Sequence, residues 1–210
     1  MEIEDDELYF DEYGEIDATR RNLPHWQQDG KLYFVTWRLA DSLPQEALAQ
    51  LDADRAAWVR RHGNALVRHL SPALREEWYN LFHRRVQRWL DAGYGSCVLK
   101  RPEPKRIMFD ALKFFEGKRY RLGSFAIAGN HVHVLVAPLT WIDLSDILHS
   151  WKSFTGNAHK NTVGRQGRLW MDENFDRLVR DRVHLERVEA YVARHERQGA
   201  YVELRDVFST

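Results

Sequence analysis

Apolar positions along this chain follow two periods, and the switches between them mark its elements. In KLYFVTWRL, residues 31–39, aromatic and β-branched residues alternate, so the segment reads as a strand. Pro44 then opens PQEALAQLDADRAAWVRRHG, where Leu48, Leu51 and Trp58 fit one face of an amphipathic helix. SPALREEWYNLFHRRVQRWLDAG predicts a second helix, with Ser71 as N-cap, Pro72 at its first position and Gly93 past its end. Leu74, Trp78, Leu81, Phe82 and Trp89 form its apolar stripe. GSCVLK (95–100) reads as a short strand, and PKRIMFDALKFFEG (104–117) as a helix stopped by Gly117. YRLGSFAIAGNHVHVLVAP reads as two strands joined by a tight turn at Ala128-Gly129-Asn130, with Gly and Asn available for positive φ. Residues 143–161 and 181–199 are the last two helices. Strand, helices, strand, helix, hairpin, helix, helix is the order of an α+β fold, with helices over an antiparallel sheet.

Composition narrows the class. The 210 residues are 44% hydrophobic and 12% aromatic, enough for one substantial packed domain. A single cysteine, Cys97, excludes an internal disulfide framework and a cysteine-rich zinc cluster. MEIEDDELYF is acidic where a secretory signal is basic, and no apolar run reaches membrane-spanning length, so a soluble, cytoplasmic protein without a membrane partner is expected.

The formal net charge of zero hides a segregation. Residues 1–18 hold nine of the 31 acidic residues and no Lys or Arg. They are expected to form a flexible acidic tail, and the remaining body, 19–210, carries 31 basic against 22 acidic residues. A basic body suits a polyanionic partner. An ordinary solvated surface fits the charge equally well.

The chemistry centres on NHVHVLV. On a strand, Val132, Val134 and Val136 face one way and His131, His133 and Leu135 the other. Two imidazoles at i and i+2 stand about 6–7 Å apart along the backbone, close enough to converge on one cation, but they make only half a site. Solvent-facing strand histidines are the plainer reading. A histidine-triad nucleotide hydrolase would want a third histidine where Leu135 stands, and a two-histidine phosphodiesterase a Ser or Thr that is absent here. In VEAYVARHERQG, Tyr191 and His195 lie four residues apart and share a helix face. A helix over the sheet would add His195 as third ligand and Tyr191 as a phenol able to attack a metal-bound phosphodiester. A core tyrosine with a satisfied hydroxyl fits the same pattern.

GNHVHVLV, ILHSWKSFTGNAHKN, GRLWMDENFDRLVRD and the Tyr-Val of the final helix, in this order and spacing, resemble the REP-associated tyrosine transposases, in the single-tyrosine branch of the HUH endonuclease superfamily. LPHWQQDGKLYFVTWRLADSLP and LDAGYGSCVLK resemble one subgroup, so the likeness runs from about Leu23 to about Tyr201. It implies a ferredoxin-like (RRM-like) antiparallel sheet with helices packed on one face, the HUH endonuclease core, in one domain over 19–210 with a helical insertion at about 44–93. It also implies a metal-dependent single-stranded DNA endonuclease and strand transferase that acts near DNA hairpins, as monomer or homodimer, through a covalent 5′-phosphotyrosine.

By position, His131 and His133 match the family's His-apolar-His ligands to a divalent ion (Mg2+ or Mn2+), Tyr191 its nucleophile, and His195 a third ligand where relatives carry Asn or Gln. Ala128-Gly129 replaces the usual Met-Pro, and HERQGAYV departs from the family after the tyrosine, which predicts a final helix about one turn longer. Phe154 stands where some relatives have tyrosine, and packing is its expected role. Trp151, Lys152, Arg165, Arg168, Trp170, Arg177 and Arg180 are the candidate DNA contacts, cations for phosphates and rings for unstacked bases. The alternative to an active nuclease is a former transposase kept as a DNA-hairpin-binding protein, with the histidines vestigial. A weaker one is a histidine-triad-like nucleotide hydrolase.

Overall fold

The computed structural model describes residues 5–15, 17–20, 24–63, 71–163 and 167–208. Short strands β1 (Asp17–Arg20) and β2 (Pro24–Gln27) pair with each other. Strand β3 (Tyr33–Leu39) is followed by helix α1 (Gln45–His62), helix α2 (Pro72–Trp78), a π-helical stretch over Tyr79–Arg84, and helix α3 (Arg85–Asp91). Helix α4 (Pro102–Phe114), strands β4 (Tyr120–Ile127) and β5 (His131–Pro138), helix α5 (Leu144–Val163), strand β6 (Trp170–Leu178), helix α6 (Arg182–Arg194) and strand β7 (Tyr201–Glu203) complete the chain.

The main sheet runs β6-β3-β5-β4-β7, antiparallel throughout. Without β7 this is the ferredoxin-like βαββαβ order, with α4 and α5 as its two helices and α1 to α3 inserted after β3. The expected α+β class holds.

Strand alternation builds two cores. Val35 and Trp37 of β3, Val132, Val134 and Val136 of β5 and Phe125 and Ile127 of β4 meet Met108 and Leu112 of α4 and Ile147 and Trp151 of α5. On the opposite face Phe34, Leu135 and Ala126 meet Leu185, Val188 and Val192 of α6. The helical insertion packs around Trp58 and Phe82, and an Arg85–Asp54 ion pair of 2.5 Å ties α3 to α1.

Four local expectations change. The acidic N-terminal segment is not wholly a free tail: Leu8 and Tyr9 are buried, and backbone bonds run from Leu32 N to Leu8 O (2.7 Å) and from Phe10 N to Val179 O (2.9 Å). Two apolar side chains outweigh the charge around them. GSCVLK is no strand. Cys97 adopts a left-handed conformation (φ 47°) and a 3-10 turn, Val98–Lys100, drives Val98 and Leu99 into the core. The hairpin turn needs no positive φ at Gly129. Glycine serves close approach there, since a Cβ would stand 3.0 Å from the Lys100 side chain.

The fourth change is β6, a strand where the sequence pattern predicts no element. Among the described residues it pairs only with β3, and its Asp172, Glu173, Asn174 and Asp176 are the polar residues of a protected sheet edge. The final helix tightens into a 3-10 turn, His195–Gln198, and ends at Gly199 in the left-handed region (φ 80°).

Candidate metal centre

His131 and His133 leave the central strand β5 on the face covered by α6. Both are buried, 1% and 0% exposed, and His195 at the end of α6 is 1% exposed. Solvent-facing strand histidines are thereby excluded. One ring nitrogen from each of the three lies within 4.8 Å of the others.

Neighbouring groups set the protonation of the rings. His195 Nδ1 stands 2.9 Å from the Tyr191 carbonyl oxygen. A carbonyl only accepts, so Nδ1 carries a proton and Nε2 is the nitrogen that faces the cluster. Asn130 donates through Nδ2 to the Tyr94 carbonyl at 2.9 Å, which turns Oδ1 towards His131 Nδ1 at 2.7 Å and fixes the same tautomer there. Thr36 Oγ1 lies 2.7 Å from His133 Nδ1 and can accept in the same way. Burial, with neighbouring His195 second, lowers the His131 pKa to about 3. Burial, with His131 and His195 beside it, holds His133 well below the usual range. The His131 and His133 rings are neutral at pH 7, the form in which imidazole binds metal.

The donor set fits a cation. Nε2 of His131 and of His195 are buried without a hydrogen-bond partner. Asp91, on α3, brings Oδ1 to 3.3 Å from His195 Nε2 and 4.0 Å from His131 Nε2. A carboxylate facing two buried, unpartnered ring nitrogens calls for a metal ion or a proton between them. Three imidazoles and one carboxylate suit manganese or zinc better than magnesium.

Tyr191 stands beside the cluster. Its hydroxyl donates to Gln87 Oε1 at 2.8 Å and lies 3.4 Å from His133 Nε2. Burial raises its pKa most, the charge of Asp91 adds to that, and Arg194 partly offsets both. The phenol is therefore protonated at neutral pH. Gln87 and Asp91 are four residues apart on α3 and point at the centre together. Sequence reasoning missed both, along with Thr36 and Asn130. The i, i+4 spacing of Gln87 and Asp91 was the one available signal, and nothing local connects α3 to β5.

The DNA-contact candidates separate. Trp151 is 2% exposed, stacks on Trp37 at 5.6 Å and donates through Nε1 to the Tyr120 hydroxyl at 3.0 Å. Trp170 is 5% exposed and donates to Thr155 Oγ1 at 2.8 Å. Both belong to the core: α5 turns Trp151 to the sheet, and Trp170 packs inward from the start of β6, although it also borders the groove between α5 and β6. Phe154 has the opposite fate: it is 56% exposed, so packing is not its role. Lys152 and Arg168 line a groove of about 740 Å3 between α5 and β6. Arg177 lies over the Tyr79 ring at 4.7 Å, and Arg180 is exposed. Arg165 lies outside the described residues.

Trp151→Ala is accordingly expected to cost about 3–5 kcal/mol of stability, whereas Arg168→Ala changes it by no more than about 0.5 kcal/mol. Urea denaturation of the two variants checks the difference.

Acid sensitivity follows from the buried imidazoles. His83, stacked on Phe175 at 3.5 Å, has its pKa lowered to about 3, chiefly by burial and then by Arg177 and Arg84. Its unfolded value is about 6.5, so the unfolded chain takes up protons first as pH falls. Stability is then intact above about pH 6.5 and declines by about 1.4 kcal/mol per pH unit for each such histidine down to about pH 3. Denaturation midpoints between pH 7 and 5 in chelator should show this slope, and His83→Leu should lower it by one proton. An unchanged slope would show that His83 titrates normally in the fold.

No family model matches the chain, and no curated protein matches it in sequence. Among solved structures it is similar to a REP-associated tyrosine transposase bound to a REP hairpin. That similarity has 12% identity and a TM-score of 0.39, and covers 87% of this chain and 74% of the other. No helix among the described residues is long and apolar enough to cross a membrane.

Proposed function

We propose that this protein is a metal-dependent single-stranded DNA endonuclease and strand transferase with Tyr191 as nucleophile. The observation that carries the reading is the convergence of three buried imidazole nitrogens within 4.8 Å, beside a tyrosine hydroxyl 3.4 Å from one of the rings. The transposase-like blocks of sequence supply the substrate class. His131, His133 and His195 would hold a divalent ion, manganese by preference, with Asp91 in reach. Bound there, the ion supplies a Lewis acid for the scissile phosphate and a positive field that lowers the phenol's pKa.

Gln87 holds the Tyr191 hydroxyl from the side of α3, and Phe34 meets the tyrosine ring edge-on at 6.0 Å. These contacts keep the nucleophile in place before substrate arrives. Attack forms a bond between Tyr191 Oη and phosphorus and breaks the P–O3′ bond. The phenolic proton passes, net, to the 3′-oxygen. The product is a 5′-phosphotyrosine with a free 3′-hydroxyl, so the reverse attack rejoins a strand without external energy.

The hairpin would lie along the groove between α5 and β6. Lys152, Lys160 and Arg168 offer cations there among Asp143, Asp172 and Asp176. The test is incubation with manganese and single-stranded hairpin oligonucleotides from DNA flanking the gene. A protein band shifted by covalent DNA on a denaturing gel is the expected result.

One observation favours a second reading, a hairpin-binding protein with a silent centre. Gln87 and Asp91 cover the histidines, so a phosphate must displace them to arrive. Tight hairpin binding without any covalent band in manganese would make that reading the better one.

A further inference from the structure

The inserted helices enclose a second cavity against the sheet. Its volume is about 220 Å3, below the ~300–1,000 Å3 of pockets for drug-sized ligands, so it suits one small flat group. Four aromatic rings line it, Trp78, Tyr79 and Phe82 from α2 and the π-helical stretch and Phe175 from β6, among aliphatic and polar side chains. Tyr79 and Phe82 both belong to the π-helical stretch, and π-helical turns are frequent at functional sites.

Arg38 of β3 also lines the cavity. Its Nη1 donates to Ser42 Oγ at 3.1 Å, and burial lowers its pKa to about 10. No carboxylate pairs with it among the described residues. The carboxylates of Asp52 and Glu173 line the same cavity. With Arg38 and Arg55 they balance in charge, and they can accept hydrogen bonds from exocyclic amino groups while the guanidinium groups donate to ring nitrogens and carbonyl oxygens. Rings for stacking, with donors and acceptors at the edge, are the requirements of a nucleobase.

Position supports the same occupant. Thr36 and Gln87 line the cavity and also touch the centre, through His133 Nδ1 at 2.7 Å and the Tyr191 hydroxyl at 2.8 Å. The cavity therefore begins one side chain away from the nucleophile. On its other side Met171 and Asn174 line both this cavity and the groove between α5 and β6. Groove, cavity and histidine centre thus follow one another across the edge strand.

We infer that this cavity holds one unstacked nucleobase of a DNA strand whose neighbouring phosphate reaches Tyr191. The inference rests on the nuclease reading for the identity of the strand, but its test needs no cleavage. The full chain carrying Tyr191→Phe is titrated into hairpin oligonucleotides from DNA flanking the gene, with 2-aminopurine at one single-stranded position at a time. The fluorescence at one position should drop sharply on binding while its neighbours change little. An abasic site at that position should weaken binding about 10-fold or more.

Trp78→Leu, which keeps apolar bulk, and Arg38→Gln should each remove the position-specific response. Should either variant fold poorly, the position scan in the otherwise unmutated chain still decides the matter. Tight binding with a uniform response along the strand overturns the base pocket and leaves the nuclease reading standing. A position-specific response that both folded variants retain places the stacked base elsewhere and also overturns it. Position-specific stacking by the wild-type chain without any covalent band supports the pocket and overturns the nuclease. No binding of any oligonucleotide overturns both.

Discussion

Tyr191→Phe is expected to abolish covalent capture of DNA while leaving hairpin affinity unchanged. The substitution removes one oxygen and keeps the ring, which packs against Phe34 at 6.0 Å and His133 at 5.1 Å. Its structural cost is the lost hydrogen bond to Gln87 at 2.8 Å, which amounts to about 1 kcal/mol, with a further penalty where Gln87 Oε1 is left without a donor. Its chemical cost is far larger. Removing a nucleophile typically takes rates down by ~10⁴-fold or more, which no gel assay would miss. Anisotropy with the same oligonucleotide reports binding, and the denaturing gel reports the adduct. A covalent band that persists in the variant would disprove the assignment of Tyr191.

The parts of this centre that were legible in the sequence are those set by short-range periodicity. Alternation along β5 put Val132, Val134 and Val136 in one core and the two histidines on the other face, and the structure keeps both assignments. The i, i+4 pairing of Tyr191 with His195 needed only one helix turn. What was not legible depends on packing between distant elements. Gln87 and Asp91 reach the centre because α3 lies across the sheet, and nothing in RVQRWLD states where that helix docks.

Trp151 and Trp170 misled for a related reason. Aromatic residues next to cations suit a nucleic-acid surface and an amphipathic core boundary equally well, and only the faces that α5 and β6 turn inward separate them. Strand β6 was missed because an edge strand avoids aggregation with the same acidic and amide residues that loops favour.

Manganese is expected to stabilise the wild-type protein and to lose that effect when any one of the three histidines becomes alanine. An ion present at 100 times its dissociation constant adds about 2.7 kcal/mol, which for a chain of this size raises the unfolding midpoint by about 5–10 °C. His133→Ala carries a packing cost of its own, because the ring stacks on Phe34 at 5.5 Å. The comparison that matters is therefore each protein with manganese against the same protein in chelator. Asp91→Asn should keep the fold and weaken the ion about 10–100-fold, the usual cost of losing a carboxylate that supports a metal site. The competing state is a proton shared between Asp91 and His195, 3.3 Å apart. That state predicts no shift with manganese, zinc, cobalt or magnesium, and a stability loss on Asp91→Asn even in chelator. Such a pattern would make the cluster a buried ion pair, and a phenol whose pKa burial has raised would have no cation to activate it.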